Sequence, residues 1–248
     1  MDISEVVRVA ADALSDTPFA EPRGEAVFVS GSLLEGLGNS GSDIDVYVVL
    51  EDGRPPDTRL HTTQRAGRRV DFHVLSLNEV EGLAMESNHP DPDSFPFVDI
   101  HVELSHRIRI GRGVRRTARF DDLRARFDFQ RLAQRLYHRH LTMLDCGLED
   151  LWGMVDGGDL DVASLLAKNL TLHSVAAYLF SRGGTNTKQK WIPKLLSRLP
   201  ESPGVQRMQR DFWALQFPSE PSRARAWQVA YVDECARFSQ RVTELCES

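Results

Sequence analysis

Gly31-Ser32 is followed eleven residues later by Asp43-Ile44-Asp45, and a further carboxylate, Asp71, stands inside the apolar run Val70-Asp71-Phe72-His73-Val74-Leu75. The runs Val-Phe-Val before Ser30 and Val-Tyr-Val-Val after Asp45 are β-branched and aromatic, bounded by glycine and charge, so residues 26–30 and 43–50 read as strands. Side chains at i and i+2 of a strand point to one face, which puts Asp43 and Asp45 together. A strand over residues 69–75 lying beside them would add Asp71. Carboxylates packed this closely repel one another, and burying them without a counter-charge is costly, so the cluster calls for divalent cations. Few carboxylate ligands, with room for water and phosphate oxygens, suit Mg²⁺ better than a caged Ca²⁺, and Mn²⁺ shares that chemistry. At Gly31 the backbone can approach a triphosphate without a side chain in the way, and Ser32 can donate its hydroxyl and amide to a β- or γ-phosphate. Capping of a short helical turn is the alternative role for Ser32.

The segment GSLLEGLGNSGSDIDVYVV, together with the later RVDFHVL, resembles the motif set of polymerase-β-like nucleotidyltransferases: a Gly-Ser turn, an Asp-x-Asp strand and a third carboxylate on a neighbouring strand. The resemblance covers roughly residues 20–110. It implies an α/β (α+β) catalytic domain with a small mixed sheet over residues 1–118, followed by an α-helical domain over residues 119–248 that completes the nucleotide and acceptor cleft. It also implies that Asp43 and Asp45 bind two metal ions. Asp71 would bind only the ion facing the acceptor hydroxyl and take that hydroxyl's proton.

The rest of the chain is built to position these groups. Ile3, Val6, Val7, Ala10 and Leu14 recur at helical spacing, giving an amphipathic helix that Pro18, Pro22 and Gly24 close. Residues 51–67, with Pro55-Pro56, read as a loop or hairpin whose arginines lie near the site. Residues 78–86 read as a helix and residues 87–96 as a proline-rich loop, in which Asp91 and Asp93 are solvated rather than metal-bound. Alternating apolar residues predict a last strand or pair over 97–104 and 106–110. From Asp121 the pattern is helical: a long helix marked by Leu123, Phe127, Leu132, Leu136 and Leu144 and ending at Gly147. A second helix, over 159–181, is capped by Asp159 or Asp161 and stopped by Gly183-Gly184, and a final helix runs from about 221 to 245. His73 shares the Asp71 face, whereas His138 and His140 lie two apart on a helix and cannot pair on a metal.

The net charge of −6 over 248 residues argues against a partner held by many phosphate contacts, although residues 107–139 carry a dense arginine series. Three widely spaced cysteines, Cys146, Cys235 and Cys246, have no zinc-ligand spacing and read as reduced structural residues. No apolar stretch approaches the roughly 20 residues that span a bilayer, so a cytoplasmic protein without membrane partners is expected. Of thirty basic residues only four are lysines, Lys168, Lys188, Lys190 and Lys194, all within one stretch. Where arginine is the usual cation, a retained lysine points to a compact charge such as a triphosphate takes. By resemblance, Lys168, Lys188 and Lys190 would meet the triphosphate and Tyr178 would stack the base.

These readings converge on a Mg²⁺-dependent nucleotidyltransferase that moves a nucleoside monophosphate, AMP by preference, from an NTP to a hydroxyl of a small-molecule acceptor and releases pyrophosphate. A protein side-chain acceptor, as in toxin-neutralising members of the family, is the near alternative. RNA-end or oligonucleotide synthesis would need a basic groove, and a non-catalytic nucleotide-binding domain would ordinarily have lost an aspartate.

Overall fold

The structure is a computed structural model that describes residues 1–20, 24–51, 59–91 and 98–247. Pro22, Pro55-Pro56 and Asp93 lie outside the described residues. The chain forms two compact units that divide between Arg131 and Leu132, with the loop residue Asp91 counted in the second.

In the first unit, α1 (Ile3–Leu14) opens under an Asp2 cap whose carboxylate accepts from Glu5 N at 2.8 Å. Four strands follow, β1 (Gly24–Ser30), β2 (Ile44–Leu50), β3 (Leu60–Arg65) and β4 (Arg68–Ser76), and β5 (Arg112–Arg115) completes a sheet of order β3-β4-β2-β1-β5. The β2–β4 pair is parallel and the other pairs are antiparallel, so the sheet is mixed. Arg65 faces Arg68 across a two-residue turn in which Ala66 and Gly67 both take positive φ, the geometry that lets a tight hairpin follow the strand twist.

Each sheet face has its own core. Val27, Val29, Ile44, Val46, Val48, Val70 and Phe72 point to one side and bury the apolar stripe of α1: Val6, Val9, Ala10, Ala13 and Leu14. Phe28, Tyr47, Val49 and Leu75 point to the other, under α2 (Leu77–Ser87), α3 (Asp99–Ile110) and α4 (Thr117–Arg124). A row of rings crosses this second face. Phe120 of α4 stacks on Phe28 at 4.5 Å, Phe28 on Tyr47 at 5.0 Å, and Tyr47 on His73 at 5.0 Å. Such ring pairs add about 0.5–1.5 kcal/mol each beyond the area they bury. Ser76 and Glu79 cap α2 reciprocally, fixing where β4 ends.

The expected strands over 97–104 and 106–110 are corrected: residues 99–110 are the helix α3. Ile100, Val102 and Leu104 alternate as a strand would, but burial follows the helical period, with Val102, Ser105, His106 and Ile108 inside and Ile100 55% exposed. The sheet's fifth strand is instead the short arginine-bearing β5, a polar edge that hydrophobic patterning does not reveal.

The second unit is helical. α5 (Phe129–Gly157), α6 (Leu160–Ser181), α7 (Ile192–Leu196), α8 (Pro203–Gln216) and α9 (Arg225–Glu247) follow one another, with a 3₁₀ turn at Gln189–Trp191. The expected stop at Gly147 is corrected: α5 passes through it to Gly157. A Cβ at Gly147 would meet Leu170 Cδ2 at 2.5 Å, so this glycine serves the close approach of α6. The predicted long helix also begins later, at Phe129, because residues 125–128 separate it from α4. Asp159 occupies the N-cap of α6, while Asp161 accepts from Gln228 of α9 at 2.7 Å. Cys235 is buried, and burial pushes its thiol up to about 12.

His173 of α6 sits in this unit with its ring 5.4 Å from that of His140, and its Nδ1 is buried without a hydrogen-bond partner. Burial, reinforced by Arg139, holds its pKa below the ordinary 6.5. The folded protein therefore binds fewer protons here than the unfolded chain once pH falls below about 6.5. Stability from this site is complete above that pH and is lost as pH drops through the lower folded value. Urea unfolding at pH 7.5 and 5.5 should show a smaller acid loss for His173→Gln than for the unaltered protein, the difference staying under about 1.4 kcal/mol per pH unit. Equal losses in the two proteins would remove His173 as the cause.

Candidate active site

Strand register assembles the candidate site. Across the face that carries the ring row, Ser30 of β1 faces Asp45 of β2, Asp45 faces Asp71 of β4, and Asp71 faces Thr62 of β3. The next rung, two residues along, is Phe28, Tyr47, His73 and Leu60. A polar rung thus lies directly beside an aromatic one. Asp43 is exposed and immediately precedes β2, two residues before Asp45.

The carboxylates are held by cations of the same unit. Asp71, only 5% exposed, accepts from Arg69 Nε at 2.9 Å and lies 2.8 Å from Arg69 Nη2, a two-pronged pairing, and Thr62 Oγ1 donates to it at 2.7 Å. Arg69 shares the Asp71 face because it lies two residues earlier in β4. Its pKa stands above the ordinary value chiefly through the hydrogen bond and charge of Asp71, with further contributions from Asp43 and Asp45. One half-exposed guanidinium therefore feels all three aspartates.

Asp45 has a different cation. Its Oδ2 lies 3.2 Å from Arg107 Nη1, while His73 Nε2 stands 3.7 Å from Oδ1, beyond hydrogen-bond length. Arg107 is well buried and also reaches Glu103 at 3.2 Å, and its backbone carbonyl accepts from Ser30 Oγ at 2.7 Å. Burial alone would lower its pKa, but Tyr47, Asp45 and Glu103 hold it above the ordinary value. Burial raises the Tyr47 phenol in turn, with Arg107 opposing.

Gly31, at φ +106°, starts a turn in which Leu37 N and Gly38 N both donate to Ser32 O, at 2.8 and 2.9 Å. A Cβ on Gly31 would lie 2.6 Å from Asp45 Oδ2 and 3.0 Å from Arg107 Nη1. The absent side chain lets the turn pack directly against the Asp45 carboxylate and the Arg107 guanidinium. Glu35 of the same turn meets the buried His106 of α3 at 3.2 Å, which ties the turn to that helix.

The aspartates and the Gly-Ser turn thus come together within the first unit. Among the described residues no three carboxylate, imidazole or thiol groups stand close enough to hold an ion, and Asp71 and Asp45 are paired with Arg69 and Arg107. The donors are nonetheless hard oxygens on adjacent, register-paired strands beside a glycine turn, a set that fits a divalent cation.

The other expected residues lie in the second unit. Lys168 Nζ rests over the Phe217 ring at 5.7 Å, Lys190 and Lys194 flank Trp191 at 4.9 and 5.3 Å, and Lys188 precedes the 3₁₀ turn. Tyr178 is 5% exposed with Arg182 over its ring at 5.1 Å, so its faces are covered by the packing of α6. Of the loop arginines expected near the site, Arg54 lies outside the described residues, and Arg59 and Arg65 pair with Glu79 and Asp16. The arginine series over 107–139 is spread over helices and an edge strand: Arg107 reaches Asp45, while Arg124 pairs with Asp121 and Arg126 with Glu81. Sequence reasoning missed Arg69, Thr62 and Arg107. Arg69 was discoverable from its spacing to Asp71, whereas Arg107 was concealed by reading α3 as strand.

Comparison with known proteins agrees with this geometry. Residues 14–86 match the model of the nucleotidyltransferase domain family. A nucleotidyltransferase-like protein from Exiguobacterium sibiricum 255-15 shares the fold, with a TM-score of 0.53 and 13% identity over 93% of this chain and 73% of that one. No curated protein matches.

Gly31 and Gly67 separate backbone conformation from crowding. Both have positive φ, but nothing lies within 4 Å of a Cβ at Gly67. Gly67→Ala should cost about 1–2 kcal/mol from backbone strain alone. Gly31→Ala should cost about 1–3 kcal/mol more, the range of overpacking, in urea unfolding. Equal costs would mean that Gly31 is not crowded by Asp45 and Arg107. The polar rung and the Gly31 turn both fall within residues 14–86, the stretch that matches the nucleotidyltransferase domain family.

Proposed function

We propose that this protein is a Mg²⁺-dependent nucleotidyltransferase that moves a nucleoside monophosphate, AMP by preference, from an NTP to a hydroxyl of a small-molecule acceptor and releases pyrophosphate. The observation that carries the reading is the register match of Asp45 and Asp71 on parallel strands beside Gly31. Nucleotidyl transfer needs positioning and charge neutralisation more than covalent help from the protein.

Asp43 and Asp45 would hold the divalent ions and Asp71 one of them. When bound, such ions neutralise the phosphates and lower the pKa of the attacking hydroxyl. Asp71 would receive that hydroxyl's proton; it is buried, and Arg69 and Thr62 both donate hydrogen bonds to its carboxylate. Arg69, half exposed on β4, would turn away when another cation replaces it. The backbone of the Gly31-Ser32 turn and the hydroxyl of Ser32 would receive the β- and γ-phosphates. Lys168, Lys188 and Lys190 remain the candidates for the triphosphate tail, while the covered Tyr178 ring is not assigned to the base. The net charge of −6 favours a cationic small acceptor over a nucleic acid.

The protein should be incubated with each α-labelled NTP and a panel of hydroxyl-bearing acceptors, and products read by mass. Label should pass to an acceptor with release of pyrophosphate. Asp45→Asn should reduce transfer by more than the roughly 10–100-fold loss expected for a residue outside the ligand shell. Asp71→Asn should retain NTP binding and lose transfer. Unchanged turnover in Asp45→Asn at saturating Mg²⁺ would refute the metal role, and loss of nucleotide binding in Asp71→Asn would refute the proton-accepting role.

A further inference from the structure

The two guanidinium groups that hold the carboxylates differ in freedom. Arg69 is 50% exposed, whereas the side chain of Arg107 is 13% exposed and tied at both ends, by Glu103 at its tip and by Ser30 through its backbone carbonyl. Its Nε is buried with no hydrogen-bond partner. Arg107 therefore stays in place when a ligand arrives. Its Nη1 touches Asp45 and also lies directly against Gly31, since a Cβ there would come within 3.0 Å of it.

We propose that Arg107 is a positioning residue that couples the Gly31-Ser32 turn to Asp45, making the metal affinity of this site depend on an anion at the turn. This rests on the nucleotidyltransferase reading. A divalent cation and the Arg107 guanidinium compete for the Asp45 carboxylate. A phosphate at the turn competes with Asp45 for the same guanidinium. Phosphate binding thus loosens the hold of Arg107 on Asp45, and linkage makes the effect reciprocal. Glu103 sets the balance, because it is a second anion on that guanidinium.

The test is Mn²⁺ binding to the full chain, read by electron paramagnetic resonance of the free ion, with and without an ATP analogue carrying a methylene bridge between its α- and β-phosphorus atoms. Without the analogue, Arg107→Met should bind Mn²⁺ at least about fivefold more tightly than the unaltered protein, the low end of site-to-site coupling. The gain in Mn²⁺ affinity that the analogue confers should shrink by the same factor. Glu103→Gln should act in the opposite direction and weaken nucleotide-free Mn²⁺ binding, because Arg107 then rests on Asp45 alone of the two. Glu103 is partly exposed, so this second variant carries the test if Arg107→Met does not fold. Mn²⁺ affinity that is unchanged or lower in folded Arg107→Met, or unchanged or higher in Glu103→Gln, overturns the proposal. If the unaltered protein binds no Mn²⁺ even with the analogue, the nucleotidyltransferase reading itself fails and takes this inference with it.

Discussion

The β2–β4 register is the constraint on which the site depends. Asp45 and Asp71 face each other only because Ile44 pairs with Val70 and the pairing runs without a break to Leu50 and Ser76. A slip of one residue between β2 and β4 would turn one strand over, sending its aspartate into the apolar core beneath α1 and exposing its wholly buried neighbour, Val46 or Phe72. The hydrophobic core and the polar rung therefore enforce the same alignment. At one end of the ring row, Phe120 fixes α4 over β1. The polar rung thus lies on one flank of a rigid aromatic strip.

Two neighbouring carboxylates on a sheet would repel, and the protein meets this with guanidinium groups rather than with neutral packing. The two arginines solve the problem differently. Arg69 lies on the same strand as its partner and keeps half its surface in solvent, so its hold on Asp71 is screened and exchangeable. Arg107 comes from α3 and is buried, which makes it a structural charge as well as an electrostatic one. Arginine suits the Asp71 pairing because its planar fork meets a carboxylate with two prongs.

Much of this was legible in the sequence because strand alternation is a strong signal. The β-branched runs around Val27, Val46 and Val74, with aspartates at fixed parity, identified the strands and the face the carboxylates share. Register was not legible, since it comes from pairing between segments far apart in the chain. The α3 segment misled because its apolar residues fall on even positions, and only its packing shows that a 3.6-residue period governs burial. Gly147 misled for a related reason: a glycine that ends a helix and one that admits a neighbour look alike until Leu170 is seen beside it. In the helical unit the lysine cluster was visible by count, but its partners, Phe217 and Trp191, were not.

The most direct measurement of the central claim is a crystal structure of the protein with Mn²⁺ and a non-hydrolysable NTP analogue, with manganese located by anomalous scattering. The account predicts manganese within about 2.0–2.2 Å of Asp45 and Asp71 oxygens, close to the Mg²⁺–oxygen distance, with Arg69 turned off Asp71 and phosphate oxygens against Gly31. Manganese bound elsewhere, with Arg69 still paired two-pronged to Asp71 while nucleotide is present, would contradict it.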